Sequence, residues 1–177
     1  LMKHLADMTP QCFHFCFQFG PYQGFLGASP ERLFRVTGDQ IETEAVAGTA
    51  ARSDDPLKDK KIGDDLLLSR KNVREHQFVV DMLKATLVSL CEEGMTHSES
   101  RLLKLKEAPH LLTQFSARLR PNVKTEQLLT QIHPTPAVCG HPTGLAMAKI
   151  NELEPFSRGW YAGPIGVIGH EESEFTV

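Results

Sequence analysis

The chain has 177 residues, enough for one sizeable hydrophobic core or for a large part of a bigger one. It has 19 basic and 22 acidic residues and a formal charge of −3, so no excess of positive charge points to nucleic acid or an anionic membrane. No apolar run reaches the roughly 20 residues that span a bilayer. Four scattered cysteines do not make a disulfide scaffold, and we expect a protein of the reducing cytoplasm.

The amino-terminal third has the patterns of antiparallel strands. Residues 12–19 alternate and place four phenylalanines on one face, which predicts a sheet packed firmly on a core. Residues 24–27 and 33–36 favour further short strands. Gly38-Asp39 indicates a hairpin that leads into a strand at residues 41–46.

A helical pattern follows from Ser53, where Ser-Asp-Asp before Pro56 is typical of a helix entry. Apolar residues then recur at steps of three, four or seven, which predicts one long helix to about Glu93, ended by Gly94.

The rest of the chain alternates between the two patterns. Strands are predicted at residues 101–106, 111–119, 163–168 and 175–177, and helices at 126–132 and 144–153. Without internal repeats or a low-complexity linker, the chain is predicted to form a single α+β unit, largely antiparallel sheet with flanking helices.

Glu31 is the first candidate for chemistry. It follows the stiff Ser29-Pro30 turn and precedes the apolar pair Leu33-Phe34. A carboxyl fixed beside apolar side chains tends to keep its proton, as a general acid must near neutral pH. The alternative is a surface glutamate at the start of a strand.

Glu75 is the second candidate. On the predicted helix it has apolar residues a turn or two away, so its carboxylate needs a cation nearby. That cation could be Lys71 four residues earlier, in an ordinary solvated pair.

Two further segments carry groups suited to binding. Ala47-Gly48-Thr49 comes just after a strand, and a glycine there lets backbone N–H groups approach an anion. His110 lies at the start of a strand, where a lone histidine can equally be structural.

Four segments together resemble the chorismate-utilising enzyme family. They are GASPERLF at 27–34, TEAVAGTA at 43–50, SRKNVREH at 69–76 and a Pro- and Gly-rich stretch at 133–166. The resemblance runs from about residue 11 to the last residue, which leaves residues 1–10 as a poorly matched lead-in. HPTPAVCG is most similar to isochorismate synthases, because anthranilate synthases carry a different sequence at this point.

The resemblance implies an anthranilate synthase component I-like, chorismate-binding fold, with residues 1–177 as one incomplete catalytic domain. It implies that Glu31 protonates the departing C4 hydroxyl of chorismate and that Glu75 is a ligand of Mg²⁺, which prefers oxygen ligands. The implied substrate-binding residues are Ala47, Gly48, Thr49, His110, Ala137, Val138 and Gly140.

The resemblance places the family's lysine base and second metal glutamate outside these residues. The chain opens at Leu1-Met2 and stops within an apolar alternation at Val177, so we expect it to be cut at both ends.

Two groups of soft ligands are decoys. Cys12, His14 and Cys16 share a strand face, but no second ligand pair with zinc spacing accompanies them. Cys139 and His141 lie two apart on a loop, and no third group that would orient a nucleophile is evident. We assign neither group a role.

The function predicted from the resemblance is isochorismate synthesis, in which a hydroxyl from water enters at C2 as the C4 hydroxyl leaves. The menaquinone and siderophore pathways remain open. So do three alternatives: a salicylate synthase, an anthranilate or aminodeoxychorismate synthase, and a catalytically inactive fragment or scaffold. We expect chorismate as the partner, with no nucleic acid, membrane or obligate protein partner.

Overall fold

A computed structural model describes all 177 residues, which form nine strands and six helices. The strands are β1 Phe13–Gly20, β2 Gln23–Ser29, β3 Arg32–Thr37, β4 Gln40–Thr49, β5 Thr96–His97, β6 Arg101–Lys104, β7 Pro109–Arg118, β8 Ile165–Ile168 and β9 Glu172–Thr176. The helices are α1 Met2–Met8, α2 Pro56–Leu68, α3 Arg70–Leu90, α4 Thr125–Ile132, α5 Pro136–Cys139 and α6 Thr143–Leu153.

Seven of the strands form one antiparallel sheet. Its order is β5-β7-β4-β3-β9-β8, and β6 also pairs with β7. β1 and β2 form a separate two-stranded antiparallel sheet. The predicted α+β class, with largely antiparallel sheet and flanking helices, is confirmed.

The core lies between the long helix α3 and the seven-stranded sheet. One face of β7 alternates toward it through Leu111, Thr113, Phe115 and Ala117, all of them buried. From the helix side, Val79, Leu83 and Leu87 are fully buried, as the 3.6-residue period requires of a face packed on a sheet.

The prediction of one helix from residue 53 to 93 is wrong, because the helical pattern contains a break. At Ser69 the backbone is extended, with ψ near 109°, and the side chain accepts a hydrogen bond from the N–H of Asn72. A serine that caps a new helix satisfies one of its free N–H groups. α3 also ends at Leu90, four residues before Gly94, and Cys91 bridges to Leu119.

The four phenylalanines of β1 do not pack firmly on the core as predicted. Phe17 is 40% and Phe19 58% exposed, and the small sheet is not part of the main hydrophobic cluster. Both rings instead meet the edge of Trp160, with ring centroids 5.6 and 5.0 Å away. The alternation correctly placed these phenylalanines on one face of β1, but it did not show which residues pack against that face.

Other differences concern short elements. The strand and helix predictions downstream of residue 100 agree with β6, β7, α4, α6, β8 and β9 to within a few residues. α1, β5 and the single turn α5 had no recognisable pattern. None of the six helices combines the length and apolar character needed to cross a bilayer.

Candidate active site

A cleft of about 560 Å³ opens beside the carboxyl-terminal end of β4. It brings together most of the residues that the sequence singled out, although they come from five separate segments. Those that line it are Glu31, Ala47, Gly48, Thr49, Glu75, His110, Ala137 and Gly140.

Glu31 sits in the turn between β2 and β3, and hydrogen bonds fix its backbone. Its N–H donates to Ser29 Oγ at 3.2 Å. Its carbonyl accepts from Thr176 Oγ1 at 2.6 Å and from the Val177 N–H at 3.4 Å. The turn is therefore anchored to β9, and Pro30 restricts it further.

The carboxyl of Glu31 is protonated at neutral pH. Burial is the main cause and the nearby charge of Glu44 adds to it, and together they raise the pKa from 4.5 to about 8. The residue is only 8% exposed, and its Oε1 has no hydrogen-bond partner. The closest cation in sequence, Arg32, is paired with Glu44 and Glu174. The surface alternative for Glu31 is thus wrong.

Gly48 forms a bulge at the end of β4. The register with β7 shifts between Ala47 and Thr49, and Gly48 has φ of +75°. A Cβ on Gly48 would lie 3.2 Å from the Cβ of Asn72 on α3. Both the positive φ and the close helix require glycine here. The bulge takes one peptide out of the ladder and leaves it at the cleft.

Thr49 and His110 face each other across the cleft floor. They are partners in the β4–β7 register, and Thr49 Oγ1 lies 3.0 Å from His110 Nδ1. Burial lowers the pKa of His110, against the opposing effect of a backbone hydrogen bond with Gly48. The imidazole is therefore neutral at pH 7 and can both donate and accept a hydrogen bond.

Glu75 lies on the wall that α3 contributes. Its Oε1 is 3.5 Å from Lys71 Nζ, so the predicted i,i+4 pair exists, yet the carboxylate also borders the cleft. No group of three or more His, Cys, Asp or Glu side chains is assembled that could hold a metal ion. A single carboxylate still fits Mg²⁺, which keeps waters and takes other oxygens from a bound substrate.

Next to Glu75, His76 points the other way, into the core. It is 3% exposed, and its Nε2 lies 2.9 Å from Thr113 Oγ1 on β7. Its Nδ1 is buried without a partner, and burial lowers the pKa of the ring. No sequence pattern predicts this contact, which joins residues 37 positions apart.

The HPTPAVCG segment folds as the turn α5, which Gly140 ends with φ of +83°. Ala137 and Gly140 line the cleft as expected, but Val138 does not. Val138 instead borders an adjoining apolar cavity of about 400 Å³. Ala137 borders both spaces, whereas Val138 borders only the apolar cavity.

Two aromatic residues of the cleft were assigned no role from the sequence. The rings of Phe78 and His141 stack at 4.9 Å between centroids and 20° between planes. This contact joins α3 to the loop after α5, and both rings line the cleft. Phe78 lies three residues after Glu75, a spacing that could have placed it on the same helix face.

Of the two sets of soft ligands, only His141 lines the cleft. Cys139 is buried, with its Sγ 3.4 Å from the carbonyl of Gly140. His14 Nε2 lies 3.0 Å from Thr9 Oγ1. His14 and Cys16 are on β1, and Cys12 lies just before that strand.

Comparison with known proteins gives the same picture for the whole chain. The family model described as chorismate binding enzyme matches residues 1–177. Isochorismate synthase MenF of Bacillus subtilis is 40% identical over 154 residues, which cover 86% of this chain and 33% of that protein.

Solved structures agree. The menaquinone-specific isochorismate synthase MenF of Escherichia coli superposes with a TM-score of 0.91 at 34% identity, over 99% of this chain and 41% of that one. Anthranilate synthase component I of Streptococcus pneumoniae gives 0.86 at 27% identity, over 99% and 39%. The chain thus spans less than half the length of these relatives. Because the family model covers every residue and the cleft is built from the predicted motifs, the chain belongs to the chorismate-binding enzyme family.

Proposed function

We propose that this protein is a magnesium-dependent isochorismate synthase. The reaction interconverts chorismate and isochorismate: the C4 hydroxyl leaves as water, and the oxygen of another water bonds to C2. The proton that this second water loses goes to the lysine base, which the family resemblance places outside residues 1–177. The observation that carries the proposal is the buried carboxyl of Glu31 at the cleft, whose pKa of about 8 keeps it protonated at pH 7. A relative named isochorismate synthase, 40% identical, supports this choice over ammonia chemistry.

Glu31 acts as the general acid in this proposal. It gives its proton to the C4 oxygen as the C4–O bond breaks, and so avoids the release of hydroxide. The carboxylate left behind is buried, close to the negative Glu44, and has one oxygen without a partner. Each of these features favours its return to the protonated form before the next turnover.

The remaining cleft residues bind and orient the substrate. The Gly48 bulge and Thr49 offer backbone and hydroxyl groups to a carboxylate, and neutral His110 offers a ring nitrogen. Ala137 and Gly140 leave room for the ring. Glu75 would hold Mg²⁺, whose charge, when bound, would neutralise a substrate carboxylate.

We also propose a cytoplasmic location, because all four cysteines are free thiols, as is usual in a reducing compartment.

Incubation of the full-length protein with chorismate and Mg²⁺, followed by chromatography, tests the proposal. We expect isochorismate, formed about 10²–10⁴-fold more slowly by the Glu31→Gln variant. Anthranilate formed in the presence of ammonia would reject the assignment, and salicylate with pyruvate would replace it with salicylate synthesis.

A further inference from the structure

Helix α3 carries Glu75 at the edge of the cleft, but little around that carboxylate fixes its direction. Its side chain is 49% exposed, and its one ion pair is with Lys71, which is 79% exposed. Exposed pairs of this kind hold a geometry weakly. The direction of Glu75 therefore depends on how α3 is seated on the sheet.

The interface between α3 and the sheet is mostly apolar. Val79, Leu83 and Leu87 pack against the sheet with no exposed surface. Apolar attraction is non-directional, so these contacts set the spacing between helix and sheet more strictly than the rotation of the helix about its axis.

One polar contact crosses the interface and does have a direction. The bond between His76 Nε2 and Thr113 Oγ1 is the single side-chain hydrogen bond that joins α3 to a strand of the sheet. Thr113 occupies a core-facing position of β7, between Leu111 and Phe115, where an apolar residue is expected. A buried hydrogen bond is costly to leave unmade, so rotations of α3 that break it are disfavoured.

The helix approaches the sheet closely one turn earlier. Asn72 lies four residues before His76, and its Cβ is 3.2 Å from where a Cβ on Gly48 would be. These two contacts lie on one face of α3, and Glu75 lies immediately beside that face.

We propose that His76 and Thr113 are a positioning pair, which fixes the rotation of α3 so that the carboxylate of Glu75 points into the cleft. They act on the metal only through Glu75. The inference rests on the proposed function, since it requires Glu75 to bind Mg²⁺.

The test compares Thr113→Val, which keeps the shape and loses the hydroxyl, with Thr113→Ser, which retains the hydroxyl. In the full-length protein, chorismate consumption is followed against Mg²⁺ concentration, and Mg²⁺ binding is measured separately by calorimetry without turnover. We expect Thr113→Val to raise the half-saturating Mg²⁺ concentration about 10-fold or more, as is typical when the support of a metal ligand is lost. Thr113→Ser should stay near wild type.

A double-mutant cycle separates positioning from general destabilisation. In a Glu75→Gln background, Thr113→Val should no longer change the Mg²⁺ requirement. A Thr113→Val protein that is less stable but has the wild-type Mg²⁺ requirement would overturn the inference. The isochorismate synthase assignment would then stand, because product identity is measured independently.

If Glu75→Gln alone leaves the Mg²⁺ titration unchanged, there is no ligand to position, and both the metal role and this inference fall. Should Thr113→Val not fold, His76→Gln and His76→Asn supply the comparison. A glutamine amide nitrogen reaches as far as Nε2 and can donate to Thr113, whereas asparagine is too short. Equal Mg²⁺ requirements in these two variants would refute the inference.

Discussion

Replacing Glu31 with glutamine should remove most turnover and, at the same time, stabilise the fold as pH rises. The amide preserves the shape of the side chain but has no acidic proton to give. Loss of a general acid typically costs about 10²–10⁴-fold in rate. Substrate binding should change little, because the cleft keeps its walls.

The stability effect follows from the pKa of Glu31. The folded protein holds this proton up to about pH 8, whereas an unfolded chain releases it near 4.5. Between these values the folded state binds more protons, so the wild-type free energy of unfolding falls as pH rises. Each pH unit corresponds to about 1.4 kcal/mol. Relative to wild type, Glu31→Gln should therefore gain about 3–4 kcal/mol between pH 5 and pH 8, slightly less than three full pH units would give, because Glu31 in the folded protein is half ionised at about pH 8.

The assay is denaturant unfolding of both proteins at several pH values. The measured quantity is the difference in free energy of unfolding between variant and wild type, followed as a function of pH. A cost of burying the amide that does not depend on pH therefore cancels. Glu92→Gln is the matched control, since Glu92 is exposed in the fold and its difference should stay flat. A flat difference for Glu31→Gln as well would mean that Glu31 ionises normally when folded, and the general-acid argument would be refuted.

Four further outcomes are expected. Glu75→Ala should sharply raise the Mg²⁺ concentration for half-maximal activity, whereas Lys71→Ala, which removes only the exposed partner, should cost at most about 1 kcal/mol and leave the titration unchanged. Gly48→Ala should lower the free energy of unfolding by about 1–2 kcal/mol because of its positive φ, and further because of the contact with Asn72. It should also raise KM for chorismate. Gly38→Ala, which has a similar φ but open space around it, should show only the loss due to φ. Ser69→Ala should lower the unfolding free energy by about 1 kcal/mol by removing the cap of α3, without changing kcat. Glu44→Gln should move the alkaline limb of the kcat/KM profile, expected near pH 8, to lower pH, because removing that charge lowers the pKa of Glu31. If the limb does not move, it reports the ionisation of a different group.

Local patterns predicted the sheet strands well because alternation and turn residues act over a few neighbours. β3, the Gly38 turn and β4 follow directly from such signals. The break at Ser69 could not be predicted in this way. A serine within a helical pattern can either continue the helix or cap a new one, and the sequence alone does not distinguish the two. The environment of Phe17 and Phe19 was also hidden, because it depends on Trp160, some 140 residues later.

For the site, the types of residue could be predicted from the sequence, but not that they lie close together in the fold. The Ser-Pro-Glu turn indicated a restrained acid, and burial of Glu31 agrees with it. That Glu31, Gly48, Glu75 and His110 share one cleft followed only from resemblance to a family, because no local period links them. The bond between His76 and Thr113 had no local sequence signal, because the two residues lie 37 positions apart on different elements.

The turn that holds Glu31 is closed by the far end of the chain, and this sets when the acid can form during synthesis. Its carbonyl depends on a hydroxyl 145 residues later, and β3 pairs with β9 over a similar separation. At about 5–20 residues per second, a ribosome needs roughly 7–30 s to make that stretch. Until β9 emerges, the carbonyl of Glu31 lacks both of its hydrogen-bond donors, so a nascent chain cannot hold the turn in its final form. The turn that carries the proposed acid is thus one of the last features of this unit to be fixed in place.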